Sequence, residues 1–114
     1  MKKSISVFTF FFVMVLSLFS FESAAADVTS TFKVNGSCGM CKKKIETALR
    51  IKGVKKVNWD KETHLLTITF NSSNISLDEI HQRIAAVGYD TDKIKANDEA
   101  YAKLDECCKY EREQ

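Results

Sequence analysis

The chain has 114 residues, of which 45% are hydrophobic, and its 17 lysines and arginines against 15 aspartates and glutamates leave a formal charge of +2. This nearly neutral balance lacks the basic stripe with interleaved aromatic residues that is typical of nucleic-acid binding, and it is not acidic enough for a disordered tail. The length suits one domain with one modest hydrophobic core.

The first 26 residues have the pattern of a secretory signal peptide. Lys2 and Lys3 precede an almost unbroken apolar run over 5–21, and three alanines end at Ala26, just before Asp27. We expect cleavage near Ala26, which predicts a periplasmic or secreted protein without a permanent membrane anchor. A retained anchor is the alternative, because a run of this length is at the short edge of what spans a bilayer.

A strand and a helix are the first elements expected after this segment. The alternation over Thr29–Val34 predicts a half-buried strand with Phe32 on its inner face. A helix over 41–52 should follow, and Gly53 suits the left-handed position after its last turn. The apolar stripe of this helix consists of Ile45, Ala48 and Leu49.

A hairpin and a second helix are expected next. The runs 54–59 and 66–70 alternate on either side of a polar turn, which predicts two paired strands. Ser76 and Glu79 have the spacing of a capping box, in which the serine hydroxyl accepts a hydrogen bond from the glutamate N–H. Apolar residues then repeat at helical spacing up to Gly88: Leu77, Ile80, Ile84 and Val87.

The last expected elements are a short strand over 91–95 and a helix over 97–109 that begins at Asn97. The resulting order of strand, helix, strand, strand, helix, strand predicts an α+β fold, the ferredoxin-like βαββαβ sandwich, with an extra C-terminal helix. Each helix has a single apolar stripe, which must be buried against the sheet. We therefore divide the chain after the signal peptide into a domain over 27–96 and a C-terminal helical segment over 97–114.

Cys38 and Cys41 lie between the first strand and the first helix. We expect the more exposed Cys38 in a loop and Cys41 in the first helical turn, where free backbone N–H groups and the helix dipole stabilise a thiolate. The lysines that follow, Lys42, Lys43 and Lys44, add positive charge and form either a docking surface for an acidic partner or a solvated face. Two thiolates at this spacing predict a site for a soft metal ion such as Cu(I), Ag(I) or Hg(II).

Cys107 and Cys108 are adjacent near the end of the chain. A bridge within either cysteine pair would close almost no loop and would stabilise little, which favours thiol or metal chemistry over structural disulfides. The last strand should end about 20 Å from the cysteine loop, and a helix of ten residues returns the chain by about 15 Å. We therefore predict that Cys107 or Cys108 supplies a third or fourth sulfur, a set that would also hold Zn(II). The alternative is a surface pair that oxidises or does nothing.

A set of residues at fixed positions connects the chain to a known family: Val34, Gly36, Cys38, Cys41, Ile45, Glu46, Gly53, Val54 and the pair Gly88-Tyr89. Through them residues 29–95 resemble the heavy-metal-associated domain family, which includes copper chaperones, metal-binding domains of copper-transporting ATPases and periplasmic mercury-scavenging proteins. The resemblance implies a ferredoxin-like fold, a metal ion at the first two cysteines, copper before mercury, and a tyrosine that shields the site.

The chain departs from the family's pattern beside the first cysteine. A single Ser37 replaces the family's Met-x dipeptide, and a methionine lies between the cysteines as Met40. We expect Met40 to pack in the core, because methionine more often fills gaps than binds ions; an exposed thioether is the alternative. His64 and His81 are expected to be surface or packing residues and not ligands.

These observations favour an exported soft-metal-binding protein, a chaperone or scavenger and not an enzyme. It would release the ion by ligand exchange to the cysteines of a metal-transporting membrane protein or efflux component. One alternative is a thiol–disulfide oxidoreductase that uses Cys38 and Cys41; against it, thioredoxin-like sites have a cis-proline facing the disulfide, and this chain contains no proline. The other is an interaction module in which disulfides are only structural.

Overall fold

A computed structural model describes residues 27–112, so the predicted signal peptide lies outside the described residues. Three strands, β1 (Asp27–Lys33), β2 (Val54–Trp59) and β3 (Leu65–Asn71), form an antiparallel sheet in the order β1-β3-β2. The alternation of apolar and polar residues predicted from the sequence determines which face of the sheet is buried. Leu66, Ile68 and Phe70 of β3 are buried, whereas threonines of β1 and β3 pair on the exposed face.

Two helices cover the buried face of the sheet. Helix α1 spans Gly39–Ala48 and α2 spans Leu77–Ala86. The predicted cap of α2 is confirmed, since the Ser76 hydroxyl accepts a hydrogen bond of 3.2 Å from the Glu79 N–H. Helix α1 begins two residues before its predicted start, so that Cys41 belongs to its first turn. Within residues 27–112, no helix is long and apolar enough to cross a membrane.

The strand predicted over 91–95 is wrong. A single bridge between Val34 and Thr91 takes the place where this strand would extend the sheet beside β1. The Thr91 hydroxyl accepts hydrogen bonds from the N–H groups of Lys93 and Ile94, and Thr91 N–H donates to the Ile94 carbonyl. These local bonds use the groups that a strand would offer to its neighbour. The α+β sandwich is present, with this edge reduced to one bridge.

The single helix predicted over 97–109 is also wrong. Helix α3 spans only Asp98–Ala102, and after an interruption a 3-10 helix spans Glu106–Cys108. Leu104, Cys108 and Tyr110 are all buried in the same core as the sheet and helices. The backbone is extended at Asp105, between the two helices, and again at Lys109. Because residues two apart on a continuous helix point to nearly opposite sides, the second break allows both Cys108 and Tyr110 to be buried. The break between the two short helices allows the chain to follow the surface of the sandwich.

Polar contacts hold the end of this C-terminal segment, residues 97–112. The Tyr110 hydroxyl donates to the Gly88 carbonyl at 2.9 Å and accepts from the Asp90 N–H at 2.8 Å. The Arg112 guanidinium binds the Asp90 carboxylate through two hydrogen bonds, at 2.8 and 3.0 Å. Gly88 has a φ of +103°, and an added Cβ there would lie 2.8 Å from the Ala100 carbonyl oxygen. The segment is therefore packed closely against the loop after α2.

Candidate metal centre

The loop that carries the first two cysteines rests on Trp59. This side chain is fully buried, and its indole N–H donates to the Val34 carbonyl at 2.9 Å. A Cβ at Gly36 would lie 2.7 Å from the indole ring, so only glycine allows the loop to approach this closely. The Glu46 carboxylate accepts from the Trp59 N–H at 2.8 Å. The Trp59 side chain thus supports the loop and is itself held by contacts between β2 and α1.

Three cysteine sulfurs lie close together at this loop. The Sγ atoms of Cys38 and Cys41 are 3.9 Å apart, and those of Cys38, Cys41 and Cys108 all lie within 4.8 Å of one another. Metal–sulfur bonds of about 2.3 Å place two sulfurs of one ion about 4 Å apart in a trigonal site and about 4.6 Å apart in a linear one. The cluster therefore has the dimensions of a site with two or three sulfur ligands.

The three cysteines of the cluster differ in burial. Cys38 is half-buried and is the more accessible of the first pair, as predicted, but Cys41 and Cys108 are fully buried. Cys41 packs with Ile45 and Leu49 in the core. A polar replacement at Cys41 is therefore expected to affect folding as well as binding.

Ser37 controls the ionisation of Cys41. Its backbone N–H and its hydroxyl lie 3.4 and 3.5 Å from the Cys41 sulfur. Burial on its own raises the pKa of the Cys41 thiol, but the hydrogen bonds from Ser37 and Cys38 outweigh it and lower the pKa to about 7. The predicted lowering is thus present at Cys41, although its main source is Ser37 and not the lysines. Ser37 was identified in the sequence only as a departure from the family's pattern.

Cys108 and Tyr89 complete the buried side of the cluster. Burial, and then the neighbouring Cys41, raise the pKa of the Cys108 thiol, so Cys41 loses its proton first. Burial and the thiols of Cys108 and Cys41 raise the pKa of Tyr89, which is fully buried, as its predicted shielding role requires. Among the described residues its hydroxyl is the buried side-chain oxygen that has no hydrogen-bond partner.

Cys107 lies outside this group of three sulfurs, on the solvent side. Its Sγ is 3.9 Å from Cys108 Sγ and donates a hydrogen bond to Met40 Sδ at 3.5 Å. Its backbone carbonyl accepts from the Ser37 hydroxyl at 2.6 Å and from the Cys38 thiol at 3.3 Å. The expectation that Met40 packs in the core is wrong, because this side chain is 47% exposed. Of the two C-terminal cysteines, only Cys108 therefore belongs to the cluster.

The three lysines after Cys41 do not form a uniform positive face. The Lys42 ammonium contacts the Glu46 carboxylate at 2.7 Å and the Trp59 carbonyl at 2.9 Å. Lys44 pairs with Asp105 of the C-terminal segment at 3.0 Å. Two of the three charges are thus engaged in contacts that position α1, which weakens the prediction of a docking surface for an acidic partner.

Neither histidine belongs to the cluster. His81 is buried, stacks on Phe32, and lies with its Nδ1 2.7 Å from the Thr91 hydroxyl. His64 stacks on Trp59 with ring centroids 5.7 Å apart. Both are packing residues, as predicted.

The sequence alone does not identify the groups that fasten the C-terminal segment. Asp90, Tyr110 and Arg112 carry no local motif, and their contacts join positions about 20 residues apart. The sequence shows only that a tyrosine and three charged residues, Lys109, Tyr110, Glu111 and Arg112, follow the cysteine pair. It does not identify their partners without the tertiary structure.

Two other proteins are similar in sequence to part of this chain. The chain is 38% identical over 65 residues to the copper chaperone CopZ of Enterococcus hirae, a match that covers 55% of this chain and 94% of that protein. It is 41% identical over 63 residues to a zinc-transporting ATPase of Synechocystis, covering 54% of this chain and 9% of the ATPase. The chain therefore corresponds to a small part of the ATPase.

Solved structures share the fold. Oxidized MerP from Ralstonia metallidurans superposes with a TM-score of 0.55 at 29% identity, covering 58% of this chain and 94% of MerP. The predicted ferredoxin-like α+β class is thereby confirmed. The sequence pattern of the heavy-metal-associated domain matches residues 31–90, a range that includes Cys38, Cys41 and Tyr89 and ends before the C-terminal segment. The chain belongs to the heavy-metal-associated domain family.

Proposed function

We propose that this protein carries a soft metal ion, Cu(I) before Ag(I) or Hg(II), as a chaperone or scavenger and not as an enzyme. The observation that carries the proposal is the convergence of the Cys38, Cys41 and Cys108 sulfurs within 4.8 Å. Thiolates select soft ions over hard ones, and Zn(II) would be a weaker competitor at a site with three sulfurs. The similarity to a copper chaperone supports copper as the cargo.

The burial of the three sulfurs suggests how the ion enters and leaves. Cys41 is buried and has a lowered pKa of about 7, so it is the anchor of the ion, whereas Cys38 is the half-buried sulfur that a partner can reach. A partner's thiolate would bond the ion as the bond to Cys38 breaks, and the ion keeps its oxidation state. The partner is a protein with a similar cysteine pair, such as a metal-transporting membrane protein or an efflux component.

Export of the protein is part of the proposal. The basic start, the apolar run and the alanines that end at Ala26 support it. N-terminal sequencing of the protein from the periplasm or the medium should find Asp27 as the first residue. A protein that keeps residues 1–26 and sediments with membranes would contradict this part of the proposal.

The decisive experiment is an anaerobic titration of the reduced protein, in which Cu(I), Hg(II) and Zn(II) compete with chelators of known affinity. Cys38→Ser should weaken binding of the first ion by tenfold or more, equivalent to about 1.4 kcal/mol. Cys108→Ser should lower the number of sulfur neighbours from three to two in X-ray absorption. Cys107→Ser is the matched control, because the same replacement outside the cluster should leave the first ion's affinity unchanged. Equal affinity in Cys38→Ser and the control would refute the site.

A thiol–disulfide oxidoreductase is the second candidate function. The pKa of Cys41 near 7 and its 3.9 Å distance from the Cys38 sulfur are compatible with it. The third sulfur opposes it, because Cys108 would compete for any disulfide formed. Catalytic reduction of a disulfide substrate by the metal-free protein, without tight Cu(I) binding, would favour this alternative.

A further inference from the structure

We propose that Met40 and Cys107 form an outer site that binds a second soft monovalent ion beside the first. This inference rests on the proposed function, since the inner ion at Cys38, Cys41 and Cys108 is assumed. The starting observation is that the Cys107 thiol donates to Met40 Sδ at 3.5 Å. A thioether and a thiol are both soft donors, and soft donors select the ions that the inner cluster selects.

The position of Met40 is otherwise unexplained. Its side chain is 47% exposed and contacts a sulfur of the C-terminal segment instead of the core. Met40 is the only methionine among residues 27–112. A flexible, unbranched side chain adapts readily, so the two sulfurs can move from 3.5 Å to the separation of about 4 Å that two ligands of one ion require.

Cys107 does not serve the inner ion in this arrangement. Its sulfur is absent from the group whose members all lie within 4.8 Å of one another, and it faces solvent with Met40. Cys108 Sγ, 3.9 Å from Cys107 Sγ, lies between the two groups. Because a thiolate has more than one lone pair, Cys108 is placed to bridge an inner and an outer ion.

Binding of the second ion requires no oxidant or reductant. The incoming ion takes the place of the proton that now lies between the two sulfurs. Cys107 releases this proton to solvent, the Met40 thioether releases none, and both sulfurs and the ion keep their oxidation states. Silver(I) is a suitable probe because it has the same charge and softness as Cu(I) and does not change oxidation state in air.

Native mass spectrometry with Ag(I) tests the outer site. The unaltered protein should bind two ions, and Met40→Leu, which keeps the size and apolarity but removes the sulfur, should bind one. Cys107→Ser should also bind one, and the double variant should lose no more than either single variant, since the two residues serve one site. With carbon-13 methyl labelling, the Met40 signal, identified by its loss in Met40→Leu, should shift with the second equivalent of Ag(I) and not with the first.

The outcomes separate this inference from the proposed function. One tightly bound ion in all four proteins would overturn the outer site and leave the inner site intact. Two ions in Met40→Leu or Cys107→Ser would place the second ion elsewhere and would also overturn it. No tightly bound ion in the unaltered protein would refute the proposed function itself.

Discussion

The sandwich over 27–96 and the C-terminal segment over 97–112 both supply sulfurs to the cluster and share one core, but the segment also depends on polar contacts at its end. Cys38 and Cys41 are positioned by packing on Trp59 and in the core below α1. Cys108 is positioned by a short segment whose end is fastened through buried polar contacts of Tyr110 and Arg112. One cluster can therefore depend on core packing alone on one side and, on the other, on core packing together with a few hydrogen bonds at the end of the chain.

This difference has a consequence for stability. Loss of an apolar contact in the sandwich should affect the whole fold, because its elements share one core. Loss of a polar contact at the end of the segment should release the segment locally and leave the sheet intact. Substitutions in the sandwich and in the C-terminal segment should therefore give different patterns of unfolding.

The largest effect is expected on the sandwich side. Trp59→Ala should lower the free energy of unfolding by about 3–5 kcal/mol, as is typical when a large buried aromatic is removed, and should lower it for all elements together. Urea unfolding followed by circular dichroism measures the change. Leu65→Ala is the control, since Leu65 is 43% exposed and should cost about 0.5 kcal/mol or less. A decrease in the free energy of unfolding below about 1 kcal/mol for Trp59→Ala would contradict the role of Trp59 in supporting the loop.

A smaller and local effect is expected in the segment. Tyr110→Phe removes the hydroxyl that bonds Gly88 and Asp90 and leaves two buried backbone groups without that partner, at a cost of about 1–3 kcal/mol. Hydrogen exchange should become faster in residues 97–112 and near Asp90, but not in β3, and Cys108 should react faster with an alkylating reagent.

Tyr89→Phe is the matched control for this substitution. It removes an equally buried hydroxyl that has no hydrogen-bond partner among the described residues, so the metal-free protein should lose little or no stability. Equal losses from Tyr89→Phe and Tyr110→Phe would show that the hydroxyl of Tyr110 does not fasten the segment.

The smallest expected effect is on the pH dependence of the free energy of unfolding. Burial on its own raises the pKa of Asp90, but the hydrogen bonds from Arg112 and from the Ala96 N–H outweigh it and hold the pKa below its usual range. The stabilising contribution of the Asp90 carboxylate is therefore complete above the ordinary aspartate pKa of about 3.9. It is lost as the pH falls through the lower, folded value.

Asp90→Asn should remove this contribution. In urea unfolding between neutral pH and pH 3, the stability of the unaltered protein should fall more steeply than that of the variant, and the difference should be confined to the acidic end. Arg112 and Tyr110, the charged and titratable groups that contact Asp90, keep their ordinary charge states in this range. Parallel curves for the two proteins would show that the ion pair does not couple to folding.

Much of the sandwich was predictable because its signals are local. The run predicted over 54–59 has the same bounds as β2, and the spacing of Ser76 and Glu79 predicted the cap of α2. The strand over 91–95 failed because the Thr91 hydroxyl binds neighbouring N–H groups, and alternation does not report such competition. The helix over 97–109 failed although Leu104 and Cys108 have helical spacing, because the backbone becomes extended at Asp105, between α3 and the 3-10 helix.

The sequence by itself determined the family, the element order through α2 and the pair Cys38 and Cys41, because each depends on residues close together in the chain. Only the tertiary structure decided that Cys108 joins this pair while Cys107 faces Met40. That choice depends on contacts between residues near positions 90 and 110, whose partners are separated by about 20 residues. The physical reason is that spacing along a chain sets local geometry, whereas the packing of one segment on another sets which side chains meet.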